Sequence, residues 1–173
     1  MTGKLLALIL LLSAALAGGG MYYLQVYGFY YEVAPQPGQD VLLLATGADQ
    51  PQAIAYTAFQ AIDADSSPIR YRACFETDLT PDRMTAFTPV EDPEPLTAPG
   101  WFDCYDAPAL ADALKDGQAQ AFMGAKNIHY GVDRIVAVTQ DGKGYVWHAL
   151  NNCGEKAYDG TVVGEECPPK PQE

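Results

Sequence analysis

The longest apolar run of the chain lies at its start. Residues 5–31 are all apolar, small or aromatic except Ser13 and Gln25, and Lys4 is the one charge that precedes the run. A helix that spans a bilayer needs about 20 apolar residues, because each adds about 1.5 Å toward roughly 30 Å of hydrocarbon. The pattern therefore predicts a membrane anchor over residues 1–31, formed by one transmembrane helix.

The two ends of this run differ, and the difference predicts its orientation. Amphipathic rings suit the boundary between hydrocarbon and headgroups, and one end carries six of them: Tyr22, Tyr23, Tyr27, Phe29, Tyr30 and Tyr31. Lys4 marks the other end, while Glu32 and Asp40 follow the aromatic end. Because positive charge stays on the cytoplasmic side, we expect the amino terminus in the cytoplasm and the rest of the chain outside.

A cleaved signal peptide is the alternative for this segment. Lys4 would form its charged start, residues 5–12 its apolar centre, and residues 15–17 (Ala-Leu-Ala) a cleavage site. The apolar run continues well past that site, and cleavage would leave a tyrosine-rich apolar end without an obvious partner. We favour the uncleaved anchor, and cleavage after Ala17 stays open.

Shorter apolar segments after a spacer over residues 32–40 predict strands. Residues 41–44 predict a buried strand, and residues 52–63 a strand or a short helix. The alternation in residues 69–75 predicts a strand with two different faces. One face carries Ile69, Tyr71, Ala73 and Phe75, and the other carries Arg70, Arg72 and Cys74.

The central part of the chain predicts a loop and then a docked aromatic segment. Five prolines punctuate residues 80–99, which indicates mostly irregular structure. Residues 101–105 (Trp-Phe-Asp-Cys-Tyr) predict a short strand or a docked loop.

The second half contains the clearest local signals. Asp106 or Ala107 can begin a helix with Pro108 in its first turn, and Gly117 ends it. Residues 118–126 then predict a strand. Residues 133–139 and 144–149 are rich in β-formers and are joined by a turn that contains Asp-Gly, which is a strong hairpin signal.

These elements add up to an α+β protein. We expect an N-terminal transmembrane helix followed by a small, mostly antiparallel β domain with one or two short helices. The acidic domain should occupy residues 41–167, and residues 168–173, with three prolines, should form a flexible tail.

Charge narrows the range of partners. All 22 acidic residues and nine of the ten basic ones follow the anchor, so the exposed part has a net charge of −13. Such a surface argues against nucleic acid or anionic lipid as a ligand. A basic protein partner is compatible with it, and so is a merely solvated acidic surface.

The four cysteines predict two disulfides. An even count in an exported domain is typical of a disulfide framework, and four cysteines allow three pairings. We favour the sequential pairing, Cys74 with Cys104 and Cys153 with Cys167. A zinc site is the alternative, although the spacing matches no common zinc pattern.

Candidate chemistry is sparse. No catalytic or cofactor motif is present, so we expect no cofactor and no metal. His129 and His148 are candidates for a general base, but two histidines without a spaced partner indicate structural or exposed side chains more strongly.

A different set of residues is a candidate for contact with a ligand or partner. Two arginines share one predicted strand face, and aromatic side chains are frequent interaction anchors. The set comprises Arg70, Arg72, Trp101, Trp147 and His148. The arginines can equally pair with the excess carboxylates of the domain.

Several segments are similar to a known family. They are residues 21–27 (MYYLQVY), 61–75 (AIDADSSPIRYRACF), 96–104 (LTAPGWFDC), 130–134 (YGVDR) and 144–148 (GYVWH). Together they resemble a family of short, single-anchor alphaproteobacterial proteins classed as a domain of unknown function. The resemblance implies a bacterial inner-membrane setting with a periplasmic domain. It brings no known activity, so no catalytic residue is carried over.

Three functional hypotheses follow from these observations. The leading one is a non-enzymatic periplasmic module for interaction or assembly, with a membrane-protein partner. The second is a domain that binds a small molecule or an envelope polymer in a pocket lined by Arg70, Arg72, Trp101 and Trp147. The third is an enzyme that uses His129 or His148.

Overall fold

The chain begins with the helix that its apolar run predicts. A computed structural model describes residues 3–169. Helix α1 spans Gly3–Tyr23 and continues into one π-helical turn, Leu24–Gly28. None of its residues is buried, and the segment Gly3–Gly28 is long and apolar enough to cross a membrane. An α-helix of 21 residues is about 31 Å long, which matches the hydrocarbon core of a bilayer.

Within residues 3–169, eight strands and one further α-helix follow α1 and its π turn. The strands are β1 (Tyr31–Glu32), β2 (Leu42–Leu43), β3 (Gln52–Ala53), β4 (Thr57–Asp63), β5 (Arg72–Glu76), β6 (Ala119–His129), β7 (Val132–Thr139) and β8 (Lys143–Leu150). Helix α2 spans Ala107–Lys115, and a short 3₁₀ turn spans Pro81–Arg83.

Six of these strands form one antiparallel sheet in the order β1-β4-β5-β8-β7-β6, and β2 pairs with β3 in a separate two-stranded sheet. The predicted α+β class with a mostly antiparallel sheet is confirmed.

Both faces of the large sheet are covered, and β5 shows why. Tyr71, Ala73 and Phe75 contact one core that includes Val41, Leu43 and Met84. Cys74 belongs to a second core on the opposite face, together with residues of α2 and of the segment 101–105. The predicted alternation therefore holds. The face of β5 that carries Cys74 is covered by α2 and its flanking loop. Both faces of the strand are therefore buried, which is why it carries few exposed residues.

Helix α2 has the start and the end that the sequence predicts. The Asp106 carboxylate accepts a hydrogen bond of 3.0 Å from the backbone N–H of Ala109, which caps the first turn. Gly117 has φ +73°, the left-handed conformation that ends helices at low steric cost.

The predicted hairpin is also confirmed. Strands β7 and β8 pair from Val132–Leu150 to Val138–Gly144, and Gly142 in the connecting turn has φ +82°. The Thr139 side chain closes the turn, because its Oγ1 accepts from the backbone N–H of Lys143 at 3.0 Å. Strand β6 extends to His129, three residues beyond its predicted end.

Other boundaries differ from the prediction. Only Leu42–Leu43 is extended within residues 41–44, and residues 52–63 form two strands, β3 and β4, rather than a helix. Tyr31, predicted at the end of the anchor, lies in β1 and pairs with Asp63. Arg70 precedes β5 instead of lying within it. Residues 80–99 form the expected loop apart from the 3₁₀ turn.

Both disulfides have the sequential pairing. Cys74 in β5 is bonded to Cys104, and Cys153 is bonded to Cys167. The second bridge closes a C-terminal lobe, residues 151–167, in which no residue is buried. Of the predicted tail, residues 168 and 169 have no regular structure, and residues 170–173 lie outside the described residues.

Candidate functional site: the junction of domain and anchor

Two side chains of the domain bind the last turn of the anchor. The indole Nε1 of Trp101 donates to the carbonyl oxygen of Val26 at 2.7 Å. Arg70 donates through Nη1 to the carbonyl oxygen of Gln25 at 3.2 Å, and through Nη2 to the Gln25 side-chain oxygen. The final carbonyls of a helix lack partners within the helix and carry partial negative charge. The domain therefore caps the N-terminal apolar helix with one neutral and one cationic donor.

Aromatic rings pack around these hydrogen bonds. Trp101 stacks on Tyr27 with 6.4 Å between ring centroids and meets Tyr30 edge to face at 6.0 Å. The Arg70 guanidinium lies 5.3 Å from the Tyr30 ring centroid, within the range of a cation–π contact. The connection between the helix and the sheet is short, because β1 begins three residues after the π turn ends at Gly28. The packed rings hold this connection in place of a flexible spacer.

The loop that presents Trp101 is fixed from two sides. A turn precedes it, in which the N–H of Phe102 donates to the carbonyl oxygen of Pro99 at 2.9 Å. The Cys74–Cys104 disulfide then ties the loop to the middle of the sheet. The position of Trp101 is thus set by the sheet, and the anchor is held against it.

Arg72 has a structural role in this loop. It is 4% exposed, and its guanidinium donates to the backbone carbonyls of Ile69, Tyr71, Leu96 and Thr97 at 2.6–3.2 Å. Burial lowers the pKa of the Arg72 side chain. The two arginines therefore have different roles. Arg70 contacts the anchor, whereas Arg72 joins the backbone of residues 69–71 to that of residues 96–97 through hydrogen bonds.

His148 lies in a second polar cluster, on the opposite face of the sheet. Its Nδ1 is 2.9 Å from the Pro68 carbonyl oxygen, and its Nε2 is 3.1 Å from Arg134 Nε, a donor. A carbonyl only accepts, so Nδ1 carries the proton and Nε2 accepts from Arg134. The ring is also stacked on Tyr71 at 4.7 Å. Burial first, and Arg134 second, lower the pKa of His148 to about 3.

The two histidines of the enzyme hypothesis are neighbours, with 6.3 Å between ring centroids. The strand registers bring them together, because Arg134 pairs with His148 while Val132 pairs with His129. His129 is exposed, whereas His148 is 2% exposed with both ring nitrogens engaged. In this geometry His148 has no free nitrogen for proton transfer with a substrate.

The predicted contact residues do not share one cavity. Trp101 lines a cavity beside β1 and β4, and Trp147 lines a separate groove on the face of β7 and β8. Trp147 is fully buried. The structure thus brings Arg70 and Trp101 together at the anchor. Arg72 and Trp147 are buried cross-strand neighbours on one face of the sheet, and His148 is buried on the other face.

A family model matches residues 41–168 of this chain. The chain belongs to DUF6446, a family of unknown function. No curated protein and no solved structure matches it. The DUF6446 match begins at the buried Val41 and ends one residue after Cys167, so it includes both disulfides and leaves out the anchor.

Among residues 3–169, no group of three or more His, Cys, Asp or Glu side chains is close enough to hold a metal ion. All four cysteines are in disulfides, so none supplies a thiolate ligand.

The sequence did not predict the two residues that accept hydrogen bonds at the junction, Gln25 and Val26. Gln25 and Val26 lie within the predicted anchor, and no role was predicted for either residue. One signal could have suggested the contact. Gln25 is the last polar residue of an otherwise apolar helix, and a polar side chain at that depth usually has a protein partner.

Proposed function

We propose that this DUF6446 protein is a non-enzymatic interaction module that a single-pass anchor holds at the periplasmic face of a bacterial inner membrane. The observation that carries the proposal is the capped anchor. Trp101 and Arg70 bind the last carbonyls of the helix, so one surface of the domain is held toward the bilayer and the rest is presented away from it. A fixed orientation serves a partner that lies in the same membrane.

Charge, disulfides and the anchor support the same proposal. Two disulfides suit an oxidising compartment. The net charge of −13 beyond the anchor keeps the domain from adhering to anionic headgroups. An uncleaved anchor is part of the proposal, because removal at Ala17 would leave Gln25 and Val26 attached to the domain with no membrane helix to cap.

Topology is tested first. Protease added to spheroplasts should degrade the domain while a cytoplasmic marker survives, and the mature chain should retain its initial residues in intact mass spectrometry. A domain protected from protease, or a mature chain that starts at Gly18, would refute the anchored periplasmic arrangement.

The interaction itself is tested by purification from native membranes. A tagged full-length chain in mild detergent should recover one membrane protein in a near-equimolar amount, measured by quantitative mass spectrometry. The matched control carries Arg70→Ala and Trp101→Phe, which remove both donors to the helix end, and it should recover less of that partner. A homogeneous monomer without a partner would refute the proposal.

A further inference from the structure

An apolar groove of about 620 Å³ lies on the sheet face that carries α2. Its floor is a row of side chains that the strand registers align: Met123 in β6 pairs with Ile135 in β7, which pairs with Trp147 in β8. The loop of residues 90–96 forms the wall.

The groove exists because α2 is too short to cover the sheet. A helix of nine residues is about 14 Å long, whereas the 11 residues of β6 extend over about 36 Å. Helix α2 packs on the early part of β6, where Ala119 and Ala121 share a core with Leu110. The later part of the face is covered only in part by the loop, and apolar surface remains accessible between them.

The rim of the groove carries charge of one sign. Glu91, Asp92 and Glu94 are exposed, and none has an ion-pair or side-chain hydrogen-bond partner within residues 3–169. Asp133 also lines the groove, but it is 6% exposed and its Oδ1 accepts from the N–H of Asn127 and from Asn151. Among the described residues, no Lys, Arg or His lines the groove.

The part of the groove open to a ligand lies around its buried floor. Trp147 and Ile135 are 0% and 5% exposed, whereas Met123, Ala149 and Val90 are half-buried. A bound chain with apolar side chains would cover these half-buried side chains.

We propose that this groove binds a basic, apolar segment of a partner protein, in which aliphatic side chains alternate with Lys or Arg. The apolar floor takes the aliphatic side chains, and the carboxylates of the rim take the cations. Long basic side chains suit this combination, since their methylene stems pack on apolar surface while the charged ends stay in water. The inference rests on the proposed interaction function and locates its contact surface.

The test uses the full-length protein in mild detergent and three synthetic pentapeptides, studied by isothermal titration calorimetry against empty micelles. One alternates leucine with lysine, one leucine with glutamate, and one serine with lysine. The leucine–lysine peptide should bind saturably, and the other two at least tenfold more weakly. Equal binding of the serine–lysine peptide would refute an apolar floor, and binding of the leucine–glutamate peptide would refute the acidic rim.

Matched variants separate the groove from general electrostatics. The triple variant Glu91→Gln, Asp92→Asn, Glu94→Gln should weaken binding of the leucine–lysine peptide about five- to tenfold. The control triple variant Asp49→Asn, Asp78→Asn, Asp82→Asn removes the same charge from exposed positions elsewhere and should change binding less than twofold. An equal loss in both variants would show that only net charge matters and would overturn the proposal.

A second pair of variants tests the apolar part. Met123→Ser, at a half-buried position on the groove face, should weaken binding about threefold or more, while Val163→Ser, at an exposed apolar position elsewhere, should not. Purification with the rim variant then separates the two proposals. A partner retained at full yield would refute the groove and leave the interaction function standing. Rim-dependent peptide binding without any membrane partner would refute the interaction function and leave the groove as a site.

Discussion

The indole nitrogen of Trp101 lies 2.7 Å from the carbonyl oxygen of Val26, and this contact joins the folded domain to the end of its N-terminal apolar helix across 75 residues of sequence. Because of this contact, the N-terminal helix is part of the tertiary structure rather than a flexible tether. Beside it, Arg70 reaches Gln25 in the preceding position. The two donors act on adjacent carbonyls, so the loss of one leaves the other to hold the junction.

We expect Arg70→Ala to loosen this junction. The variant removes a charged hydrogen bond and the contact with the Tyr30 ring, which should lower the free energy of unfolding of the full-length chain by about 1–2 kcal/mol. Limited proteolysis should cut faster within residues 29–36. Arg83→Gln is the control, since Arg83 is exposed and has no side-chain partner within the described residues. Equal proteolysis in both variants would contradict the capping role.

We expect stability to depend on pH through His148. The pKa of His148 is about 3 in the folded protein, below the ordinary value of 6.5. Between these two values the unfolded chain binds a proton at His148 and the folded chain does not. The stability associated with neutral His148 is complete above pH 6.5 and declines by about 1.4 kcal/mol per pH unit as the pH falls toward 3.

Urea unfolding between pH 7.5 and 5.0 would measure this slope. The His148→Gln variant should be less stable overall, with a shallower slope, while His129→Gln should keep the wild-type slope because His129 is exposed. A wild-type slope in His148→Gln would assign the pH dependence to other groups.

The two disulfides should differ in what they stabilise. Cys74–Cys104 closes a loop with a sequence separation of 30, so its removal by paired Ser substitutions should cost about 3–4 kcal/mol and release the Trp101 loop. Removal of Cys153–Cys167 should unfold only the exposed lobe, residues 151–167, and leave the main transition almost unchanged. Hydrogen exchange resolves the two cases. Protection lost throughout the sheet on removal of the second bridge would contradict this division.

Gly144 should not tolerate a side chain. It pairs with Phe75 across β5 and β8, and a Cβ at this position would lie 2.0 Å from a carbon of the Phe75 ring. Gly144→Ala should therefore force the ring out of the core and lower the free energy of unfolding by about 2–3 kcal/mol. Gly100→Ala is the matched control, because its Cβ would meet nothing within 4 Å. Thermal unfolding of both variants checks the contrast, and equal midpoints would refute it.

Local signals in the sequence predicted the elements that local physics decides. The Asp-Gly turn predicted β7 and β8, and Asp106 with Gly117 predicted both ends of α2, because turn and cap geometry depend on residues close in the chain. The alternation around Ala73 predicted two faces, although it could not show that both are buried.

The functional contacts depend on pairings that no local pattern encodes. Trp101 was a candidate for contact with a ligand or partner protein, but in the structure its indole N–H donates to the backbone of the anchor. Arg70 and Arg72 were candidates for a shared ligand or for pairing with carboxylates. Arg70 instead donates to the anchor, and Arg72 is buried against backbone carbonyls. The proximity of His129 and His148 likewise follows from the register of β6, β7 and β8.

In the proposed periplasmic topology, the order of strands also determines when the domain can be completed during export. Strand β5 lies between β4, residues 57–63, and β8, residues 143–150. Its second neighbour would therefore arrive only after residue 143 has crossed the membrane. Until then Phe75 and the other apolar residues of β5 would border an open strand edge. Such an edge invites wrong pairing, so a chain stalled before residue 143 would be a natural substrate for envelope chaperones and proteases.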